Sequence, residues 1–176
     1  SLVLLVTLLS TLFFELEYAI YFGVFVSLIL FLLKTSVPEV TEMTLDASNF
    51  LFTEVDSEDS KDKEVQFLRI DMSIYFGSVG HIQSKLEAVT ALPKTKRIII
   101  LCGGINSIDL SGIELLASIN HKLMTKGGGL YFFGMKPLVK KQALKLGVKE
   151  HLGEHSILNC RKELLNVLLI EKQDLP

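Results

Sequence analysis

The stretch that decides the fold reads Arg97-Ile98-Ile99-Ile100-Leu101-Cys102-Gly103-Gly104, followed at residues 105–114 by Ile-Asn-Ser-Ile-Asp-Leu-Ser-Gly-Ile-Glu. Its apolar, mostly β-branched run ends at a glycine pair and predicts a buried central strand over 98–102. Ser111 stands three residues before Glu114, the spacing of a capping box, so we expect Ser111 to cap a helix that begins at Gly112. This places Ser111 and Asp109 at the positive end of a helix, either as a plain cap or as a site where added charge switches an interaction.

Short strands and amphipathic helices alternate on both sides of this stretch. The apolar pattern predicts strands over 65–71, 130–134 and 156–158, and helices over 79–91, 112–125, 137–146 and 160–171. Residues 40–52 alternate weakly and suit one or two edge strands. We therefore predict an α/β fold with flanking helices around a mixed, mostly parallel sheet of four or five strands, whose N-terminal strand is antiparallel.

The first 36 residues differ in composition from the rest. Residues 2–33 carry only two charges, Glu15 and Glu17, which separate apolar runs over 2–14 and 18–33. We predict a membrane helical hairpin with Lys34 at its cytoplasmic end. Gly23 and Ser27 are spaced to form a close-packing face on its second helix. Both runs are shorter than the roughly 20 residues that a bilayer span needs, so a buried soluble hairpin is the alternative.

Three segments follow from these patterns. Residues 1–36 are interpreted as a terminal pair of membrane helices whose first span began upstream, since the sequence opens inside an apolar run. Residues 37–64 form a linker with an edge strand, and their polar part over 53–64 is expected to be an exposed loop. Residues 65–176 form the folded domain. A secretory signal is excluded because the positive start and the small-residue cleavage site are both missing.

The sequence does not support an enzyme. The Gly103-Gly104 pair lacks the GxxxxGK[ST] signature of a phosphate loop, and Ser111 has no GxSxG context. The i, i+4 pair His151 and His155 is interrupted by Gly153 in an expected loop, so no metal site is predicted. The thiols of Cys102 and Cys160 are expected to be buried and unpaired. We predict no catalytic residue, cofactor or nucleic-acid partner.

A cluster of lysines lies near the C-terminal end without an acidic residue among them. Its members are Lys136, Lys140, Lys141, Lys145 and Lys149. Two interpretations stay open: an ordinary solvated helix face, or a surface that contacts anionic lipid headgroups at roughly 1 kcal/mol per lysine.

Three motifs together resemble one family. The segment Glu-Leu-Glu-Tyr-Ala-Ile-Tyr-Phe-Gly-Val at 15–24 is similar to the acidic turn before the last helix of SulP-type anion permeases. Residues 68–78, Leu-Arg-Ile-Asp-Met-Ser-Ile-Tyr-Phe-Gly-Ser, resemble a signature of their STAS domain (sulfate transporter and anti-sigma-factor antagonist), with Gly-Ser where Ala-Asn is commoner. The Asp-Leu-Ser-Gly segment at 109–112 resembles the Asp-x-Ser/Thr-Gly motif of anti-sigma-factor antagonists.

The resemblance implies a cytoplasmic STAS regulatory domain of a secondary transporter for sulfate or a related anion, in the inner (plasma) membrane. The expected partners are the bilayer, an upstream membrane domain of the same chain that holds the anion site, a cytoplasmic protein, and a second copy of the carrier. In the antagonist branch the hydroxyl residue before the motif glycine is phosphorylated, which here is Ser111, although Leu110 departs from the commoner Ser or Thr. The alternative is a membrane-anchored signalling module switched by phosphorylation of Ser111.

Overall fold

A computed structural model describes residues 2–13, 16–35, 39–46, 49–55 and 63–169. The chain divides into two compact units, Ser1–Val37 and Pro38–Pro176. The first unit is a pair of helices, α1 (Leu2–Phe13) and α2 (Leu16–Thr35). The helices approach closely at Gly23, where an added Cβ would lie 2.7 Å from Thr7 Oγ1, while Ser27 is exposed. Gly23 therefore provides the close contact inside the pair.

The predicted hairpin is present as two helices, but its membrane spans are not found. Within the described ranges, no helix combines the length and the apolar character that crossing a bilayer requires. Helix α1 has 12 residues, well short of the roughly 20 that a span needs. The turn with Glu15 lies outside the described residues, as does Pro38, and much of the apolar surface of both helices is exposed, including Leu4, Tyr21 and Val24.

The second unit is a six-stranded sheet with five helices among its described residues. The strands are β1 (Val40–Asp46), β2 (Leu51–Glu54), β3 (Val65–Ile70), β4 (Arg97–Leu101), β5 (Gly129–Phe133) and β6 (Ile157–Leu158). The helices are α3 (Phe76–Thr90), α4 (Leu110–Met124), α5 (Pro137–Lys145), α6 (Val148–Leu152) and α7 (Arg161–Leu169), and a short 3-10 turn covers Cys102–Gly104.

The strand order is β2-β1-β3-β4-β5-β6. Strand β1 pairs antiparallel with both β2 and β3, and the pairs from β3 to β6 are all parallel. The predicted α/β fold with an antiparallel N-terminal strand is confirmed. The sheet has six strands instead of four or five, because the 40–52 region folds back as a hairpin whose second strand is short and largely exposed. Most of the acidic loop predicted over 53–64 lies outside the described residues.

The core has two layers because the side chains of each strand alternate between the faces of the sheet. Ile98 and Ile100 of β4 belong to a cluster with residues of α3, α4, α5 and α6. Ile99 and Leu101 belong to a second cluster with Leu164 and other residues of α7. Both clusters lie wholly between residues 40 and 168, so this unit contains the core that it needs to fold on its own.

Several boundaries differ from the predicted ones at the ends of helices. Helix α3 begins at Phe76 and α4 at Leu110, earlier than predicted, since the residues that cap them precede the apolar pattern. His151 lies in the short helix α6 and not in a loop. The glycine run ends α4 as predicted: Gly127 has a φ of 76°, and Gly128 N donates to Leu123 O.

Asn120 of α4 joins three elements and generates a prediction. Its Oδ1 accepts a hydrogen bond from Leu130 N in β5 at 2.9 Å, and its Nδ2 donates to Leu152 O in α6 at 3.4 Å. Asn120→Ala removes the acceptor of a buried amide, so we expect the free energy of unfolding to fall by about 1–3 kcal/mol.

Urea unfolding of residues 38–176 measures this loss. Ser118→Ala changes an exposed residue of the same helix and should stay within about 0.5 kcal/mol of the wild type. Equal losses in the two variants would contradict the role assigned to Asn120.

Candidate functional site

The starts of α3, α4 and α5 lie at one edge of the sheet. Strands β3, β4 and β5 are parallel, so their carboxyl ends share that edge, and each is followed in the chain by one of these helices. Ligands and partners of open α/β sheets commonly bind at this edge. The residues predicted to form a site, Asp109 and Ser111, are both located there, between β4 and α4.

Asp109 caps two helices at once. Its Oδ1 accepts a hydrogen bond from Gly112 N in α4 at 2.9 Å, and its Oδ2 accepts one from Phe76 N at the start of α3 at 3.0 Å. Its backbone is extended, with φ −108° and ψ −179°, as an N-cap residue requires. A single carboxylate therefore satisfies amides of two helices and lies at the positive end of both.

The prediction that Ser111 caps the helix is wrong. Helix α4 begins at Leu110, which makes Ser111 its second residue, and the cap lies two positions earlier at Asp109. The Ser111 side chain is partly exposed and makes no hydrogen bond with the described residues. The sequence contained two good N-cap residues, and because Asp is as strong a cap as Ser, the spacing to Glu114 did not decide between them.

The backbone beneath the turn explains the glycine of the motif. Ile74 and Ile108 form a parallel bridge, in which Ile74 N donates to Ser107 O at 2.9 Å and Asp109 N donates to Ile74 O at 3.0 Å. A Cβ at Gly112 would lie 2.7 Å from Ile74 Cγ2 and 3.0 Å from Ile74 O. A residue without a side chain is therefore needed for the first turn of α4 to rest on this bridge.

The first residues of the two joined helices are apolar and exposed. Phe76 begins α3 and is 81% exposed, and Leu110 begins α4 and is 50% exposed. Sequence reasoning missed this surface, although the unusual Leu110 in the motif was a signal of it. We call Phe76, Leu110 and Ser111 the cap surface. It offers apolar contact area and a free hydroxyl, which suit protein contact or modification better than catalysis.

The cysteines and other possible metal-binding residues in the described part of the chain lie apart from one another. Cys102 is buried, and burial raises the pKa of its thiol to about 12, so the thiol stays protonated and unreactive near neutral pH. Cys160 is exposed, which corrects the prediction that both cysteines are buried. The described residues contain no group of three His, Cys, Asp or Glu side chains that could hold a metal ion.

Four members of the predicted lysine cluster form two pairs, of which one donates to asparagine side chains and the other has no described partner. Lys136 Nζ donates to Asn106 Oδ1 at 2.8 Å, and Lys140 Nζ donates to Asn159 Oδ1 at 2.5 Å. Lys141 and Lys145 are exposed and have no hydrogen-bond or ion-pair partner among the described residues. The neighbouring Lys149 forms an ion pair with Glu154 and lowers the pKa of that carboxyl group.

Comparison with known proteins identifies the domain. A family model for the STAS domain matches residues 58–163. The chain belongs to the STAS-domain family. The fold and the Asp-Leu-Ser-Gly turn described above are thus those of a STAS domain, a class that in transporters and anti-sigma-factor antagonists is regulatory rather than catalytic.

Three relatives show where STAS domains of this kind occur. YvdB of Bacillus subtilis (strain 168), whose name marks it as a candidate sulfate transporter, is 23% identical over 165 residues, which are 93% of this chain and 29% of YvdB. The murine anion transporter Slc26a9, solved in the inward-facing state, superposes with a TM-score of 0.76 at 18% identity, over 94% of this chain and 28% of its own. The unphosphorylated anti-sigma-factor antagonist SpoIIAA superposes with a TM-score of 0.51 at 17% identity, over 65% of this chain and 93% of its own.

These comparisons support conclusions of different strength. The predicted resemblance is confirmed for the STAS domain and its similarity to those of sulfate transporters. The chain spans less than a third of the length of either transporter. The superpositions, at their low identity, show the fold alone. The roles of Ser111 and of the lysines stay predictions.

The capping geometry predicts which residue of the motif stabilises the domain. Asp109→Ala should lower the free energy of unfolding of residues 38–176 by about 2 kcal/mol, because it removes two helix caps worth about 1 kcal/mol each. Ser111→Ala should change it by less than about 0.5 kcal/mol, because that side chain caps nothing. Asp109→Asn keeps one acceptor oxygen and should fall between the two. Urea unfolding compares the three variants, and a larger loss for Ser111→Ala than for Asp109→Ala would contradict the assignment.

Proposed function

We propose that this chain is the C-terminal part of a SulP-type secondary transporter for sulfate or a related anion. The STAS domain is its regulatory and interaction domain on the cytoplasmic side of the inner (plasma) membrane. One observation carries the proposal: the similarity to YvdB covers 165 of 176 residues, so it extends through most of the helical pair as well as the STAS domain. A STAS protein without such a helical pair would have matched YvdB over the sheet domain alone.

The apolar surface of the helical pair supports this proposal. The exposed side chains of α1 and α2 are apolar along most of both helices, as Leu8, Phe25 and Phe31 illustrate. Such a surface needs apolar neighbours. We assign them to the membrane domain of the same carrier and to the surrounding lipid, and we place the anion site in that upstream domain. From the family resemblance alone, we also propose that the working carrier is a homodimer.

Within the carrier, the cap surface is the part of the STAS domain that suits contact with another protein surface. Phe76 and Leu110 supply apolar area, and Asp109 fixes the two helices that carry them. Because the cap is a single carboxylate that holds both helices, the two apolar side chains keep a defined spacing.

Anion uptake by the full-length natural protein in proteoliposomes tests the proposal. We expect saturable uptake of labelled sulfate, or of another anion from a panel of inorganic and dicarboxylate ions. Residues 1–176 alone should take up none of these anions. Phe76→Ser with Leu110→Ser should change the uptake rate severalfold, whereas Leu165→Ser, an exposed leucine on α7, should not. A natural protein that moves none of these anions would contradict the proposal.

A second candidate function is favoured by the state of Ser111. Its hydroxyl is partly exposed, unbonded among the described residues, and in the first turn of α4. A phosphate there adds about −1.5 to −2 charges at the favourable end of a helix dipole, so the fold tolerates it. The same charge would interrupt the apolar contact made by Phe76 and Leu110. The chain would then be a signalling module whose cytoplasmic protein partner is released by phosphorylation.

Mass spectrometry of the protein from its native cells tests this switch. We expect phosphate on Ser111 under some growth conditions and none on Ser118, an exposed serine of the same helix. The mimic Ser111→Glu should leave the free energy of unfolding within about 0.5 kcal/mol of the wild type while abolishing partner capture. Absence of phosphate from Ser111 across growth phases and stresses would contradict the switch.

A further inference from the structure

The exposed face of α5 carries two lysines and two leucines. Val139 and Ala143 form the buried side of this helix, with exposed fractions of 1% and 0%. Positions 138, 141 and 145 follow the i, i+3, i+7 spacing of one helical face, and position 144 adjoins 141. The residues at these exposed positions are Leu138, Lys141, Leu144 and Lys145. We call these four residues the α5 face.

Both leucines of this face are exposed to solvent. Leu138 is 66% exposed and Leu144 is 39% exposed. Neither is among the apolar residues that pack on the two core clusters. Their exposure leaves apolar area beside two ammonium groups.

The positive charge of this region is not neutralised within the described part of the chain. Lys136 and Lys140 donate to the amide oxygens of Asn106 and Asn159, which carry no charge and so provide no counter-ion. Lys141 and Lys145 have no described partner, and the sequence holds no acidic residue between 136 and 149. The nearest acid along the chain is Glu150, which is exposed. Beyond it, Glu154 pairs with Lys149, and Glu163 accepts from the backbone and side-chain amides of Asn159.

From these observations we propose that the α5 face contacts the surface of an anionic lipid bilayer. Lysines beside exposed leucines match a membrane interface, because the ammonium groups pair with phosphate and carboxylate headgroups while the leucines enter the acyl boundary. Lys136 and Lys140, which donate to asparagine side chains, add electrostatic attraction to the anionic headgroups. The inference does not depend on transport, so failure of anion uptake and failure of lipid binding are separate results.

Co-sedimentation of residues 38–176 with lipid vesicles tests the inference. We expect binding to vesicles of equal parts phosphatidylserine and phosphatidylcholine, and little binding to phosphatidylcholine alone. Lys141→Gln with Lys145→Gln should weaken binding about 30-fold, the equivalent of about 1 kcal/mol for each lysine. Raising the salt to physiological strength, where the Debye length is about 8 Å, should weaken the wild type in the same direction.

A matched control separates the α5 face from net charge. Lys85→Gln with Lys122→Gln removes the same charge from exposed positions on α3 and α4. It should weaken binding by less than about threefold, because charges held away from the membrane are screened. Equal losses in the two double variants, or equal binding to both vesicle types, would overturn the proposal.

A variant of the two leucines tests whether apolar insertion contributes to vesicle binding. Leu138→Ser with Leu144→Ser keeps every lysine and should weaken vesicle binding about tenfold, since the apolar insertion is lost. If the lysine variant loses vesicle binding while the leucine variant keeps it, the α5 face binds anions through charge alone, and the proposed entry of the leucines into the acyl boundary is overturned. Circular dichroism of each variant before sedimentation confirms that these exposed substitutions leave the fold intact.

Discussion

The carboxylate of Asp109 is the interaction on which the edge of this domain depends. It accepts one amide from α4 at 2.9 Å and one from α3 at 3.0 Å, so the starts of two helices from different parts of the chain are fixed by one side chain. The far ends of the same two helices are joined in a complementary way. Lys126, just after α4, donates to Thr90 O and Leu92 O at the end of α3. A negative group thus lies at the positive helix ends and a positive group at a negative one.

Close backbone contacts allow the helices to approach closely enough for the hydrogen bonds of Asp109 and Lys126. Gly112 lets the first turn of α4 rest against Ile74, and Gly104 lets the turn after β4 pass the end of β3, where a Cβ would lie 2.7 Å from Asp71 Cα. At the other edge, a Cβ at Gly128 would lie 1.8 Å from Lys96 O. Gly104, Gly112 and Gly128 thus permit close packing against the backbone of neighbouring segments, and no phosphate loop is needed to explain them.

The fold could be predicted largely from the sequence, because its strands and helices follow hydrophobic periodicity. The run at 98–102 gave β4 to within one residue, and the glycines after α4 gave its end. Helix starts were harder to predict, since the choice between Asp109 and Ser111 as the cap depends on the backbone angles of the turn. The bond from Phe76 N to Asp109 joins residues 33 positions apart, and no local pattern contains that information. The exposure of Cys160, Phe76 and Leu110 depended equally on tertiary packing.

The position of the cap has a consequence for regulation. If Ser111 were the cap, phosphorylation would remove a hydrogen bond on which α4 depends, and any signal would carry a cost in stability. Since Asp109 performs the capping and the Ser111 hydroxyl makes no hydrogen bond with the described residues, the proposed phosphorylation would leave the cap of α4 in place. The apolar residues at the helix starts are likewise free of core packing. The motif therefore separates its structural tasks by residue: Asp109 holds the starts of the two helices, and Gly112 permits the close approach of α4 to Ile74. In the proposed switch, Leu110 and Ser111 are the residues that would meet the partner.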